Sequence, residues 1–354
     1  MRRPYFPGST SPKIRIFPRS GIGLAEVVLV LSAIVAIAWG SQAWQDNLAA
    51  NYPAPRSALS LTSSNKLPLL SMALSPDQRT AVSVGIEGVV RMYDMQARTC
   101  SGELGPQQSE LSAVCISPDG HQILIGTESG EIELWDWDNT QQPLIRRPAH
   151  QHRVTVLIYS PDGKSFITAS DDGRTVVWDS QTLEQLFELP SIAAITRTAC
   201  FIPASNRLVT GTIYGDVHLW DLPRRQLLSK THVSRTTEPR ESIVEGIQII
   251  SDETQILIAT RDGAIGIWDL KNGTRTLKFH DQGRQLTSLI LSDQGRQAIT
   301  GGIDGHIDFW DMSTGLCVNS VPAHAGPVNS LAVTADSRLV ISAGWDGMAR
   351  FWDQ

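Results

Sequence analysis

One pairing constrains this chain more than any other feature: an aromatic residue followed by Asp, returning on a nearly fixed period. Tyr93–Asp94, Trp135–Asp136, Trp178–Asp179, Trp220–Asp221, Trp268–Asp269, Trp310–Asp311 and Trp352–Asp353 are spaced by 42, 43, 42, 48, 42 and 42 residues. The last copy, RLVISAGWDGMARFWD over 338–353, reads as two strands joined by a tight turn at Asp346–Gly347. Asp-Gly supplies the positive φ angles of such a turn, and β-branched and aromatic residues fit the pleated segments on either side. Seven units in one register make this a repeat array.

Each unit opens on an alternating apolar strand that ends in a polar turn, as in LSAVCISPDG (111–120) and VTVLIYSPDG (154–163). Pro and Asp-Gly set that turn, so SPDG is hairpin punctuation. A second strand, a third bearing the aromatic, and a fourth after Asp complete the unit. Units of this kind at this spacing resemble the WD-repeat β-propeller family. The resemblance implies an all-β, seven-bladed propeller over 57–354. Because Gln354 follows Asp353 directly, the seventh unit lacks a fourth strand. A spare strand-like run, Ser57 to Thr62, is expected to pair with the last three strands and close the ring, protecting sheet edges.

Two sets of residues imitate a hydrolytic triad: His150, Thr168, Asp172 and Trp178, and His324, Ser342, Asp346 and Trp352. The family resemblance implies structural tetrads at these positions, each a hydrogen-bond network tying the blade's inner turns to its third strand. The first unit departs with Glu87 and Tyr93, and the fifth with Ile258 where the hydroxyl belongs. No oxyanion site accompanies either hydroxyl. His150 to Arg153, HQHR, has too few ligands for zinc, and neither a P-loop nor a CxxC pair occurs. No catalytic, cofactor-binding or metal-binding residue is therefore expected. Cys115 and Cys200 occupy matching positions in different units, as Cys100 and Cys317 nearly do, too far apart for bridges. Trp137, Trp345 and the longer loop 232–242 are candidate contact surfaces.

The amino-terminal part is of another kind. Residues 1–20 hold five basic residues and no acid, which leaves 25 basic against 36 acidic residues beyond them. So acidic a body argues against nucleic-acid binding, which needs Lys and Arg at phosphates. Residues 22–39, IGLAEVVLVLSAIVAIAW, carry one charge, Glu26, and as a helix would span roughly 27 Å, enough for a thin bilayer. The basic flank places the leader in the cytoplasm and the remainder beyond the membrane. Three readings fit: an uncleaved signal anchor, a signal peptide cut after Ala43, and a third drawn from the position of Glu26. In SGIGLAEVVLV (20–30) Glu26 is fifth after Gly21, which resembles the start of type IV pilins and pseudopilins. That resemblance implies cleavage between Gly21 and Ile22 and assembly through the Glu26 carboxylate.

The sequence therefore predicts a basic cytoplasmic leader (1–21), a transmembrane helix or prepilin-like anchor (22–40), a linker (41–56) and a propeller (57–354). The expected function is a single-pass, membrane-tethered scaffold that binds protein partners outside the cytoplasm and binds no nucleic acid. The alternatives are a pilin-like component joined to similar helices, and an enzyme that uses the propeller channel.

Overall fold

Short apolar–polar alternations broken by Asp-Gly and Ser-Pro-Asp turns give strands that pair with their sequence neighbours. The computed structural model describes residues 56–62, 66–105, 109–138, 142–234, 236, 238, 241–250, 254–279 and 283–354. Among these, the strands form seven four-stranded antiparallel sheets. Blades 1 to 6 take four consecutive strands each, over 69–104, 111–148, 154–188, 196–232, 244–278 and 286–322. Blade 7 takes three strands from 328–353 and its fourth, Arg56–Thr62, from ahead of blade 1. Arg56 pairs with Asp353 and Thr62 with Met348, so the expected closing strand has a defined register. Side chains reinforce the closure. Asn329 Nδ2 donates to the Leu69 carbonyl at 2.7 Å, the Met72 N–H donates to Ser330 Oγ at 3.2 Å, and the Arg98 guanidinium pairs with Asp353.

The repeated residues have local causes. Five residues ahead of each aromatic stands a Gly with positive φ, from 70° at Gly88 to 87° at Gly130. A Cβ at Gly305 would lie 2.0 Å from the His324 carbonyl oxygen, so this turn needs glycine for both conformation and space. The Asp after the aromatic caps the next turn: Asp179 Oδ1 accepts the N–H groups of Gln181 and Thr182 at 3.0 and 2.9 Å. The Asp353 carboxylate pairs with Arg98.

The aromatic itself packs against the preceding blade. Trp220 lies with Ile167 and Val177 of blade 3, Trp352 with Ile299 and Phe309 of blade 6, and Tyr93 with Ile341 and Phe351 of blade 7. The core is thus a cycle of seven interblade clusters, and each blade depends on its neighbour.

The membrane part of the expectation is corrected. The helices among the described residues are two single-turn 3-10 segments, Pro203–Ser205 and Asp293–Gly295. No helix among the described residues is long and apolar enough to cross a membrane. The stretch 22–40, with Gly21, Ile22 and Glu26, lies outside the described residues. The fold is accordingly an all-β propeller with no transmembrane helix in its description. Tethering to a membrane, single-pass topology with an extracytoplasmic propeller, and pilin-like processing and assembly all required that helix. They are not retained.

Candidate functional site

The two triad-like sets are each brought together within one blade. In blade 3, Trp178 Nε1–H donates to Thr168 Oγ1 at 2.8 Å, Thr168 Oγ1 lies 2.7 Å from His150 Nε2, and His150 Nδ1 lies 3.0 Å from Asp172 Oδ2. In blade 7 the corresponding distances are 3.0 Å (Trp352–Ser342), 2.7 Å (Ser342–His324) and 2.8 Å (His324–Asp346). A carboxylate only accepts, so the His150 imidazole carries its proton on Nδ1 and takes the Thr168 hydroxyl proton at Nε2. In blade 7, Nδ1 of His324 meets both Asp346 and, at 2.6 Å, Arg350 Nη1. Thr168 and Ser342 are both 0 % exposed, each hydroxyl shared between a histidine and a tryptophan, so neither is placed to attack a substrate. Burial also holds the Cys115, Cys200 and Cys317 thiols in their protonated, unreactive form. All four cysteines are free, and burial pushes Cys200 to about 11 and Cys317 to about 12. Among the described residues no group of three or more His, Cys, Asp or Glu could hold a metal ion.

Burial holds both tetrad histidines below the ordinary imidazole value of 6.5, against the pull of Asp172 and Asp346. Between the lowered folded value and 6.5 the unfolded chain binds more protons than the folded one, so stability rises with pH through that window. The contribution is complete above about pH 6.5 and lost below it. The unfolding temperature should therefore fall on acidification from pH 7 to 5, and His150→Asn with His324→Asn should flatten that dependence. An unchanged slope in the double variant would contradict the assignment.

The remaining blades fill the tetrad position differently. In blade 1, Tyr93 Oη and Ser83 Oγ are 2.9 Å apart, and buried Arg91 pairs with Glu87 and Glu103. Blade 2, like blade 5, lacks the hydroxyl: Ile125 stands ten residues before Trp135. Trp135 Nε1–H turns to buried Glu133 at 3.0 Å, and Glu133 also holds Arg146 at 2.7 Å. The sequence reading missed this substitution. The Ile at that position was visible, but the acid that replaces the hydroxyl is two residues from the Trp and reveals itself only in three dimensions.

A surface suited to binding appears where the turns between second and third strands meet the starts of the first strands. The turn residue seven ahead of the aromatic donates its N–H to the residue just before the first strand: Ile86 to Pro68 at 3.1 Å, Asp171 to Arg153 at 3.1 Å, Trp345 to Pro327 at 2.9 Å. Since the first strands line the central channel, these turns ring its mouth. The chemistry there is divided into sectors. Ile303 in blade 6, Trp345 in blade 7 and Leu67 ahead of blade 1 are 42 %, 50 % and 37 % exposed. Blades 2 and 3 contribute Glu110, Glu128 and Asp171, with Arg153 lying 3.6 Å from Glu128 and 3.1 Å from Asp171. Burial raises the Glu128 carboxyl, and neighbouring Glu110 and Asp171 add to the effect against Arg153. Trp137, the other candidate contact, packs instead on the cluster between blades 1 and 2. Of the long loop, the described His232 accompanies Lys230 on Asp216, at 3.0 and 2.9 Å.

Comparison with known proteins agrees with this architecture. The family described as WD domain, G-beta repeat matches residues 98–136, 141–179, 272–311 and 315–353. The chain is similar to the target of rapamycin complex subunit wat1 of Schizosaccharomyces pombe, 28 % identical over 26 % of this chain and 31 % of that protein. It is similar to autophagy-related protein 16 of Arabidopsis thaliana, 26 % identical over 43 % of this chain and 30 % of that one. A mouse (Mus musculus) U3 small nucleolar RNA-associated protein 4 homolog is 23 % identical over 62 % of this chain and 26 % of its own. The matched stretches thus span about a third or less of each relative's length. The WD40 propeller family generally acts as a non-catalytic protein-interaction scaffold. With four family-matched repeats and the same strand order in the other three blades, the chain is a seven-bladed WD40 β-propeller.

Proposed function

We propose that this propeller is a protein-interaction scaffold that docks a partner on the channel-mouth face. Trp345 and Ile303 serve as apolar anchors there, and Glu110, Glu128 and Asp171 form an acidic flank. One observation carries the reading. Trp345 is 50 % exposed on a turn bonded through its own N–H to the Pro327 carbonyl, whereas the paired tryptophans of blades 2, 3, 4, 6 and 7 are at most 4 % exposed. A half-exposed aromatic held by a rigid backbone loses little freedom on binding and can carry much of an interface's energy. A relative named as a complex subunit is in keeping with such a role.

Quantitative affinity capture from the native source tests the proposal. Trp345→Ala with Ile303→Ala should reduce specific partners by about tenfold or more, as expected for lost hot-spot residues. Leu186→Ala, at an exposed position on the outer strand of blade 3, should retain them. Loss with Leu186→Ala and retention with the mouth variant would overturn the assignment.

A further inference from the structure

The first strand of every blade is bulged at its second residue, which places seven side chains at one level around the channel. Four of them are neutral and donate to the backbone of the next blade. Ser112 reaches the Val154 carbonyl at 2.8 Å, Thr155 that of Thr196 at 2.9 Å, Thr287 that of Val328 at 2.6 Å, and Asn329 that of Leu69 at 2.7 Å. Leu70 has no donor to offer. The other two positions break the pattern with Arg197 in blade 4 and Glu245 in blade 5.

Arg197 donates through Nε to Glu245 Oε2 at 3.3 Å, and Arg261, in the next turn of blade 5, pairs with the same carboxylate. The Glu245 side chain is 1 % exposed and that of Arg197 34 %. Arg197 and Glu245 are the charged residues of a channel wall that is otherwise neutral, around a cavity of about 280 Å³. Counting Arg261, the cluster carries one net positive charge. Among the described residues the two terminal amino groups of Arg197 have no protein acceptor. A Ser or Thr at 197 would bond the seam as its counterparts do, without desolvating a carboxylate, and desolvation of that kind can exceed the Coulombic gain. Sealing the seam therefore does not account for the pair. A guanidinium fixed through Nε, with its terminal fork open to a cavity, is arranged for bidentate recognition of a carboxylate.

We propose that Arg197 forms a carboxylate-binding site in the channel wall, with Glu245 and Arg261 holding its guanidinium in place. The ligand is one carboxylate, either of a partner's Asp or Glu side chain or of a free small acid. The cavity is small enough to suit a single side chain or a small molecule. This goes beyond the docking reading, since the site lies inside the channel and makes no use of Trp345.

The test follows the arginine Nε–H resonances of the ¹⁵N-labelled full chain, with the Arg197 signal assigned by its loss in Arg197→Lys. Titration with N-acetyl-glutamic acid α-amide should shift that signal saturably, and the N-acetyl-glutamine counterpart should bind at least tenfold more weakly. Acetate binding as tightly as the glutamate probe supports the proposal with a free acid as ligand. Acetate binding tenfold more weakly supports it with an acidic side chain. Arg197→Gln should lose the response to both acids, and Trp345→Ala should keep it whatever becomes of protein docking. No shift of the native Arg197 signal with either acid, or an equal shift with the glutamine probe, would overturn the proposal. Both overturning results are read on the native protein, and the conservative Arg197→Lys variant serves only to assign the signal.

Discussion

Replacing residues 56–62 by a Gly-Ser linker of equal length is expected to lower the unfolding temperature by about 10 °C or more. The closing strand pairs with Met348–Asp353 from Arg56↔Asp353 to Thr62↔Met348. Its loss strips blade 7 of its outer strand and exposes that edge. Backbone hydrogen bonds contribute about 1 kcal/mol net apiece, so a strand of this length supplies on the order of 5 kcal/mol. For a domain of this size each kcal/mol moves the midpoint by about 2 °C. The ring magnifies the effect, because blade 7 also supports Tyr93 of blade 1 through Ile341 and Phe351. A midpoint within about 2 °C of the native one would mean that the ring does not depend on this strand.

The second large effect is expected at the tetrad hydroxyl. Thr168→Val keeps the shape but removes the acceptor of Trp178 Nε1–H and the donor to His150 Nε2. Two buried polar groups are left without partners, at about 1–3 kcal/mol each before relaxation, so a loss of about 2–4 kcal/mol is expected in urea denaturation. Ile125→Val, at the matching position of blade 2, disturbs no hydroxyl bond and should cost only about 0.5–1.5 kcal/mol. Thr168→Val and His150→Ala should combine less than additively, because they break the same chain of bonds. Equal losses at 168 and 125 would show that packing, not the hydrogen-bond chain, sets stability here.

The parts of this structure that were legible in the sequence are those that recur. The Trp–Asp step, the glycine turn and the missing seventh outer strand each answer to a local need: a turn to cap, a positive φ, an edge to cover. With seven copies, each unit checks the others. The apolar run at 22–40 had no second copy to check it, and its length, its basic flank and the position of Glu26 carried the expectation of a membrane helix. The channel wall was hidden for a different reason. A bulge breaks the two-residue alternation, so Arg197 and Glu245, which stand at equivalent positions in blades 4 and 5, do not read as inward-facing. Trp137 and Trp345 looked alike in sequence. One packs on blades 1 and 2 and the other stands at the channel mouth, a difference decided by neighbours distant along the chain.

The central claim is that the channel-mouth face, and not the outer rim, engages the partner. Site-specific photo-crosslinking in the native source tests it most directly, with the photoreactive residue placed in separate chains at 345, 303, 186 or 144, the last being Leu144, 51 % exposed beside the outer strand of blade 2. Crosslinks to one common protein from 345 and 303, with none from 186 and 144, are the predicted result. Crosslinks confined to 186 and 144 would contradict it.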